Sequence, residues 1–215
     1  MNTNPDAKRI LCYGDSNTHG VLPGSIGRYP ADVRWTGILQ NELGKGFEVI
    51  EEGLWGRTTN LDDPFPGFED KNGKTYLFGC VRTHLPLDYV VLWLGINDLK
   101  KIFNRGGQEV ASGIEDLILS IREYILESKE KYSEPKIIII SPHILQDKVV
   151  EVKPHFEGAP EKSKYLAEEF EKVAKKYNCE FIDMAKNVIA SEVDGIHLEK
   201  EEHAKVGKLL AKYIK

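Results

Sequence analysis

The sequence is poor in cysteine, and this shortage excludes two classes of protein. Its three cysteines, Cys12, Cys80 and Cys179, are odd in number and far apart, so they form neither a disulfide framework nor a CxxC metal site. We expect them to be small buried apolar groups. A nucleophilic cysteine is disfavoured because Cys12 lies in an apolar run and none of the three has a histidine beside it in the sequence.

An excess of positive charge and long hydrophobic runs are also missing. The 215 residues carry 29 Lys and Arg against 34 Asp and Glu, a formal net charge of −5, whereas proteins that neutralise nucleic-acid phosphates usually have a positive balance. No apolar stretch approaches the roughly 20 residues that cross a bilayer, and the N-terminus MNTNPDAKRI has no secretory-signal core. We therefore expect a soluble cytoplasmic protein with no nucleic-acid or membrane partner.

Hydrophobic periodicity predicts an α/β fold. Short runs rich in Ile, Val and aromatic residues alternate with stretches whose apolar residues recur every three or four positions, which is typical of βα units and a parallel sheet. Since no repeat, low-complexity tract or linker interrupts the chain, we expect residues 1–215 to form a single domain. The predicted strands are Arg9–Tyr13, Phe47–Glu51, Tyr89–Leu94, Lys136–Ser141 and Glu180–Asp183.

Helices are predicted between these strands. Apolar stripes at helical spacing run over residues 114–125, 166–177 and 206–214. An earlier helix over Trp35–Leu43 should end at Gly44, which accepts a positive φ. Two long segments, 54–87 and 142–160, carry prolines and glycines and interrupt the pattern. We expect both to be irregular loops, which in a compact domain are often functional.

Polar clusters with glycine follow three of the strands, and a fourth precedes the last helix. In an open α/β sheet the ligand site lies outside the carboxyl ends of the strands, so the four clusters should meet at one edge. They are Gly14-Asp15-Ser16-Asn17-Thr18, Gly53-Leu54-Trp55-Gly56-Arg57, Gly95-Ile96-Asn97-Asp98 and Asp194-Gly195-Ile196-His197.

Ser16, His197 and Asp194 have the chemistry of a catalytic triad. A serine hydroxyl needs a base within hydrogen-bond reach and a third group that orients the base. His197 can be that base, and Asp194, on a turn closed by Gly195, can hold its other ring nitrogen. The chain order Ser, Asp, His is one of several that produce this geometry. Alternatively, Ser16 caps one helix and the Asp–His pair caps the final one.

Three groups could bind the oxyanion that forms when a carbonyl is attacked. They are the backbone amide of Ser16, the unshielded amide of Gly56 and the side-chain amide of Asn97. Asn97 could instead form a local turn with Asp98, and Gly56 could serve only as a turn. The three triad residues and the two additional oxyanion donors, Gly56 and Asn97, are consistent with one catalytic site. Together they favour catalysis over the separate explanations.

The same residues resemble the GDSL or SGNH hydrolases. The four letters of the second name match Ser16 in GDSN, Gly56 in GLWGR, Asn97 in GIND and His197 in DGIH. Further segments, including DVRWTGILQNELG and FEVIEEGLWGRTTNLDDP, resemble the arylesterase/acyltransferase branch. Asn17 stands where the namesake motif has leucine, a departure that bears on substrate preference more than on chemistry.

This resemblance implies a fold and an activity. The fold would be a flavodoxin-like three-layer α/β/α sandwich with a five-stranded parallel sheet. The activity would be hydrolysis of short acyl esters of small molecules through an acyl-serine, with transfer of the acyl group to alcohols or peroxide. The resemblance further implies no metal, no cofactor and a homo-oligomer.

Other assignments stay open. His19 is a rival base because it is close to Ser16, and Trp55, beside Gly56, could border the acyl pocket or belong to the core or an interface. A carbohydrate deacetylase or a lysophospholipase would keep the triad. A flavin- or phosphate-binding module would use the loop after the first strand, although Asp15 there would repel phosphate. The histidines without a metal-like spacing are His19, His84, His143, His155 and His203.

Overall fold

Five parallel strands form one sheet at the centre of the computed structural model, which describes residues 2–128 and 132–214. The strands are β1 (Lys8–Gly14), β2 (Phe47–Gly53), β3 (Tyr89–Trp93), β4 (Lys136–Ser141) and β5 (Glu180–Asp183). They lie in the order β2-β1-β3-β4-β5, and every neighbouring pair is parallel. All five predicted strands are confirmed, with small differences at their ends.

Helices connect the strands. In the described ranges they are α1 (Ser16–His19), α2 (Trp35–Leu43), α3 (Gly73–His84), α4 (Gly107–Leu126), α5 (Lys148–Val152), α6 (Ala159–Ser163), α7 (Leu166–Tyr177) and α8 (Lys200–Leu210). The prediction for α2 is confirmed at both ends, and Gly44 follows it with a φ of +71°. None of the helices in this part of the chain combines the length and the apolar character needed to cross a membrane.

Two segments predicted to be irregular contain helices, so that expectation is wrong. The segment Leu54–Leu87 contains α3, and the segment Pro142–Pro160 contains α5 and the start of α6. The buried residues of α3 form a narrow stripe. Exposed aromatic residues lie between them in the sequence, so the helical spacing of the buried residues is not apparent. Helices as short as α5 show too few turns for periodicity to be recognised.

The last helix is also shorter than its apolar stripe. The spacing predicted helix through Ile214, but α8 ends at Leu210. Ile214 is nevertheless buried in the same apolar layer as Leu210. The apolar pattern therefore indicates packing against the sheet. This packing continues for a few residues after the helix has ended.

The sheet separates two apolar layers. Side chains alternate along a strand, so in β1 Leu11 and Tyr13 face one layer while Ile10 and Cys12 face the other. Helices α3, α4 and α7 cover the first layer, and α2 and α8 cover the second. This three-layer arrangement confirms the predicted α/β/α sandwich.

Candidate active site

Ser16 begins α1 directly after β1, within a sharp turn of residues 14–20 that we call the serine turn. The Asp15 carboxylate accepts a hydrogen bond from Asn17 N (3.0 Å), and Gly20 N donates to Ser16 O (2.8 Å). Burial raises the pKa of Asp15 to about 7, although the Asn17 hydrogen bond opposes this. The N-cap of α1 is Asp15, so the alternative in which Ser16 caps the helix is wrong.

The four polar clusters meet around one cavity of about 360 Å³. Gly56 follows β2, Asn97 follows β3 and His197 precedes α8, and all three line the cavity together with Ser16. The carboxyl ends of neighbouring parallel strands open on the same edge of the sheet, which explains why these distant segments come together. The catalytic roles assigned to them from the sequence remain predictions.

Asp194 holds both the ring and the backbone of His197. Its Oδ2 is 2.7 Å from His197 Nδ1, and its Oδ1 accepts a hydrogen bond from His197 N (2.9 Å). Burial alone would raise the pKa of the Asp194 carboxyl, but the hydrogen bonds and the imidazole hold it well below its usual range. With Nδ1 bound to an ionised carboxylate, Nε2 is the ring nitrogen that can accept a proton.

This pair does not cap the final helix. The N-cap of α8 is Glu199, two residues after His197, so the capping alternative for Asp194 and His197 is wrong. Gly195, between them, has a φ of +72°, and an added Cβ would lie 2.5 Å from Val149 N. The tight turn that lets Asp194 reach His197 Nδ1 therefore requires glycine.

Asn97 and Gly56, which the sequence predicts to bind an oxyanion, both line the cavity. Asn97 Nδ2 donates to Arg57 O (3.0 Å), which orients the amide and leaves its second N–H for a ligand. Gly56 has a φ of +79°, and an added Cβ would lie 2.9 Å from the Phe68 ring. Asn97 and Ser16 are each 5% exposed. Donors in such a shielded place interact more strongly with a developing negative charge than donors in water.

A buried carboxylate secures the loop that carries Asn97. Asp98 accepts hydrogen bonds from Thr59 N (3.0 Å) and from the Thr59 hydroxyl, and Arg105 Nη1 approaches it at 3.5 Å. Burial raises the pKa of Asp98, and the two Thr59 hydrogen bonds oppose this rise. The side chains of Asn97 and Asp98 thus both bond to the segment after β2, which fixes the two loops relative to each other.

Asn17 is a site residue whose place the sequence did not reveal. Its side chain is 1% exposed. Its Nδ2 donates to Ile196 O (3.3 Å) and its Oδ1 accepts from Leu198 N (3.1 Å), on either side of His197. The leucine of the namesake motif could form neither bond. Asn17 therefore joins the serine turn to the His197 loop, and its departure from the motif was the one available signal.

His19 and Trp55 also line the cavity. His19 Nδ1 is 3.2 Å from Gly53 O, and burial lowers the pKa of its ring. Trp55 is 45% exposed, packs edge-on against Phe68 with ring centroids 5.1 Å apart, and lies 4.7 Å from the Lys71 ammonium. His19, the predicted rival base, thus contacts a backbone oxygen, while the Asp15 carboxylate bonds to Asn17 N. The position of Trp55 fits the alternative in which it borders the acyl pocket.

One group of potential metal ligands lies outside the cavity lining. The ligand atoms of Glu52, Cys80 and His84 are all within 4.8 Å of one another. Glu52 already accepts hydrogen bonds at both oxygens, from His84 Nε2 (3.0 Å) and from the Tyr76 hydroxyl (3.0 Å). Burial raises the pKa of the Cys80 thiol to about 12. The hydrogen bonds of Glu52 hold His84 and Tyr76 beside it.

Comparisons with known proteins agree with the fold. The model of the GDSL-like lipase/acylhydrolase family matches residues 12–205. The native aryl esterase of M. smegmatis is 38% identical, with a TM-score of 0.92 over 97% of this chain and 98% of that one. A carbohydrate acetylesterase from Sinorhizobium meliloti is 35% identical, with a TM-score of 0.90 over 96% and 98% of the two chains.

A curated relative is considerably longer. The acetylxylan esterase of Xylanibacter ruminicola is 27% identical over 231 aligned residues, which represent 98% of this chain and 44% of that protein. This chain therefore spans less than half of the length of that relative.

Proposed function

The chain belongs to the GDSL-like lipase/acylhydrolase family, a family of carboxylic ester hydrolases, and on this basis we propose that it is a serine esterase acting on small short-chain acyl esters. One observation carries the proposal. A single cavity is lined by Ser16 and by His197, whose Nδ1 is held by Asp194. The alternative of a flavin- or phosphate-binding module is not retained, because it gives this pair no role.

In the proposed first step, His197 Nε2 takes the proton of Ser16 Oγ as that oxygen attacks the ester carbonyl. The negative charge on the carbonyl oxygen is bound by the amides of Ser16 and Gly56 and by Asn97 Nδ2. Asp194 stabilises the imidazolium that forms. The imidazolium then protonates the departing alcohol, and an acyl-serine remains.

A second nucleophile completes the proposed reaction. His197 takes a proton from water, the resulting attack on the acyl-serine releases the acid, and the proton returns to Ser16. An alcohol or peroxide can take the acyl group by the same step if the cavity excludes water well enough. The ratio of ester formed to acid released, measured with an added alcohol, tests the transfer reaction.

Replacement of Ser16 tests the nucleophile. Ser16→Ala is expected to lower kcat for p-nitrophenyl acetate by at least about 1,000-fold, because the acyl-serine can no longer form. Ser25→Ala is the matched control, since Ser25 lines the same cavity but has no proposed chemical role. Circular dichroism should show that both variants are folded. Wild-type turnover by a folded Ser16→Ala protein would disprove the assignment.

The size of the cavity favours small acyl groups. A volume of about 360 Å³ must hold both the acyl chain and part of the alcohol. We expect kcat/KM for p-nitrophenyl esters to be highest with acetyl or butyryl and to fall for octanoyl and lauroyl. The measurement is a rate series over the four esters. A maximum at octanoyl or lauroyl would contradict the proposed substrate size.

Acetylated carbohydrate is a second candidate substrate. Its support is the likeness to a carbohydrate acetylesterase of Sinorhizobium meliloti and to the longer acetylxylan esterase. Release of acetate from acetylated xylo-oligosaccharides, compared with hydrolysis of p-nitrophenyl acetate by the same preparation, distinguishes the two substrate classes. The homo-oligomer implied by the family resemblance also remains a proposal, which light scattering of the purified protein would test.

A further inference from the structure

One part of the cavity wall is basic. Lys100, Lys153 and His155 line the cavity that Ser16 lines, and we call these three residues the basic wall. We propose that the basic wall binds a carboxylate on the substrate, so that the preferred esters carry a negative charge. This inference rests on the proposed esterase function and specifies the substrate class of the same site.

Charges within the protein neutralise only part of the basic wall. Lys100 Nζ lies 2.5 Å from Asp63 Oδ2, and both side chains are almost fully buried. Glu157 is the first acidic residue after His155 in the sequence, and it is paired with Lys101. Among the ion pairs of residues 2–128 and 132–214, none involves Lys153. The cavity therefore keeps one ammonium group without a counter-charge, in a chain whose net charge is −5.

The basic groups of the wall act on one another, and the two lysines are its cationic members near neutral pH. Burial lowers the pKa of the Lys100 ammonium, Asp63 opposes this effect, and Lys153 lowers it further. Burial also lowers the pKa of His155, and Lys100 and Lys153 add to that decrease. Like charges held together in a partly buried place repel each other. An anion beside Lys153 would relieve this repulsion.

Aromatic side chains adjoin the basic wall. Trp55, Phe68 and Phe156 line the same cavity, and Lys100 Nζ lies 4.5 Å from the centroid of the Phe68 ring. A flat ring of the substrate can pack on such side chains, and in the proposed complex a carboxylate on that ring pairs with Lys153, which lines the same cavity. The geometry points to acyl esters of ring-containing alcohols or phenols that also bear a carboxylate.

A pair of esters that differ in charge tests this inference. The probes are para-acetoxybenzoate and its neutral analogue para-acetoxybenzamide, and the quantity is the ratio of their kcat/KM values. Lys153→Gln should lower this ratio about fivefold, the equivalent of about 1 kcal/mol for one partly exposed ion pair, mainly through KM for the benzoate. Lys186→Gln is the matched control, because it removes the same charge from an exposed lysine outside the cavity lining.

Salt provides a second readout. Added NaCl should raise KM for para-acetoxybenzoate with the wild-type enzyme, because screening weakens the attraction, and should have less effect with Lys153→Gln. An unchanged ratio in a folded, active Lys153→Gln protein would overturn the inference and leave the esterase function intact. If the wild-type protein hydrolyses neither ester, nor p-nitrophenyl acetate, the proposed esterase function itself is wrong.

Discussion

Individual residues of the site are held by other side chains rather than by the backbone alone. Asp194 orients His197, and Asn17 connects the serine turn to the backbone on both sides of His197. These contacts are buried, and a buried donor or acceptor left without a partner costs about 1–3 kcal/mol. The distance between Ser16 and His197 therefore depends in part on Asn17, a residue with no proposed part in the chemistry.

A substitution at Asn17 tests this dependence. Asn17→Leu should lower the free energy of unfolding by about 1–3 kcal/mol, because Leu198 N loses its buried acceptor. It should also lower kcat more than it changes KM, since the base is less well positioned while the cavity is retained. Urea unfolding and steady-state kinetics with p-nitrophenyl acetate measure the two effects. Asn41→Leu makes the same change at an exposed position of α2 and should lower neither quantity. Wild-type values in Asn17→Leu would contradict the proposed role of Asn17.

At the scale of the secondary-structure elements, the backbone of α1 lies so close to the end of β2 that no side chain fits between them. A Cβ on Gly53 would lie 2.2 Å from His19 N and 2.5 Å from Thr18 C, which are backbone atoms. Because α1 begins with Ser16, this close approach sets where the serine turn rests on the edge of the sheet. Glycine at the end of β2 is thus a structural requirement of the site.

Two glycine substitutions should act in opposite directions. Gly53→Ala is expected to cost about 1–3 kcal/mol or more through overpacking and to lower kcat, because the serine turn must move. Gly79→Ala, in α3, meets no atom within 4 Å and should stabilise the protein by about 0.5–1 kcal/mol with activity retained. Thermal unfolding and p-nitrophenyl acetate turnover provide the comparison. If the two variants had the same unfolding temperature and the same turnover, the contact between β2 and α1 would be unimportant for stability and activity.

For the whole molecule, a single sheet supports both apolar layers. In β3, Val90 and Leu92 belong to the layer under α3, α4 and α7, while Val91 and Trp93 belong to the layer under α2 and α8. Separation of the strands would expose both layers at once. This shared support favours the proposal that residues 1–215 form one domain.

Cooperative unfolding tests that proposal. We expect one urea transition, with the same midpoint by far-UV circular dichroism and by tryptophan fluorescence, because loss of the sheet removes both layers together. Trp35 and Trp93 lie in one layer, with ring centroids 5.9 Å apart, and report on it directly. Two separated midpoints would indicate that parts of the chain unfold independently.

Strands were easier to predict from the sequence than the segments after them. The buried run of β4 and the glycine that ends α2 are local patterns, and both are found where expected. The helix α3 was missed because its few buried residues are set among exposed aromatic ones. The short α5 was missed because one or two turns show no period.

Local patterns in the sequence were enough to predict the parallel sheet and the edge at which the site lies. Strands of a parallel sheet all end on the same side, so Ser16, Gly56 and Asn97 had to meet once the strands were recognised. The folded structure was needed to show that Asn17 holds the segment around His197 and that Lys153 lines the cavity without an ion pair to any residue that the structure describes. Such contacts join residues far apart in the chain, and their geometry comes from packing rather than from any local pattern.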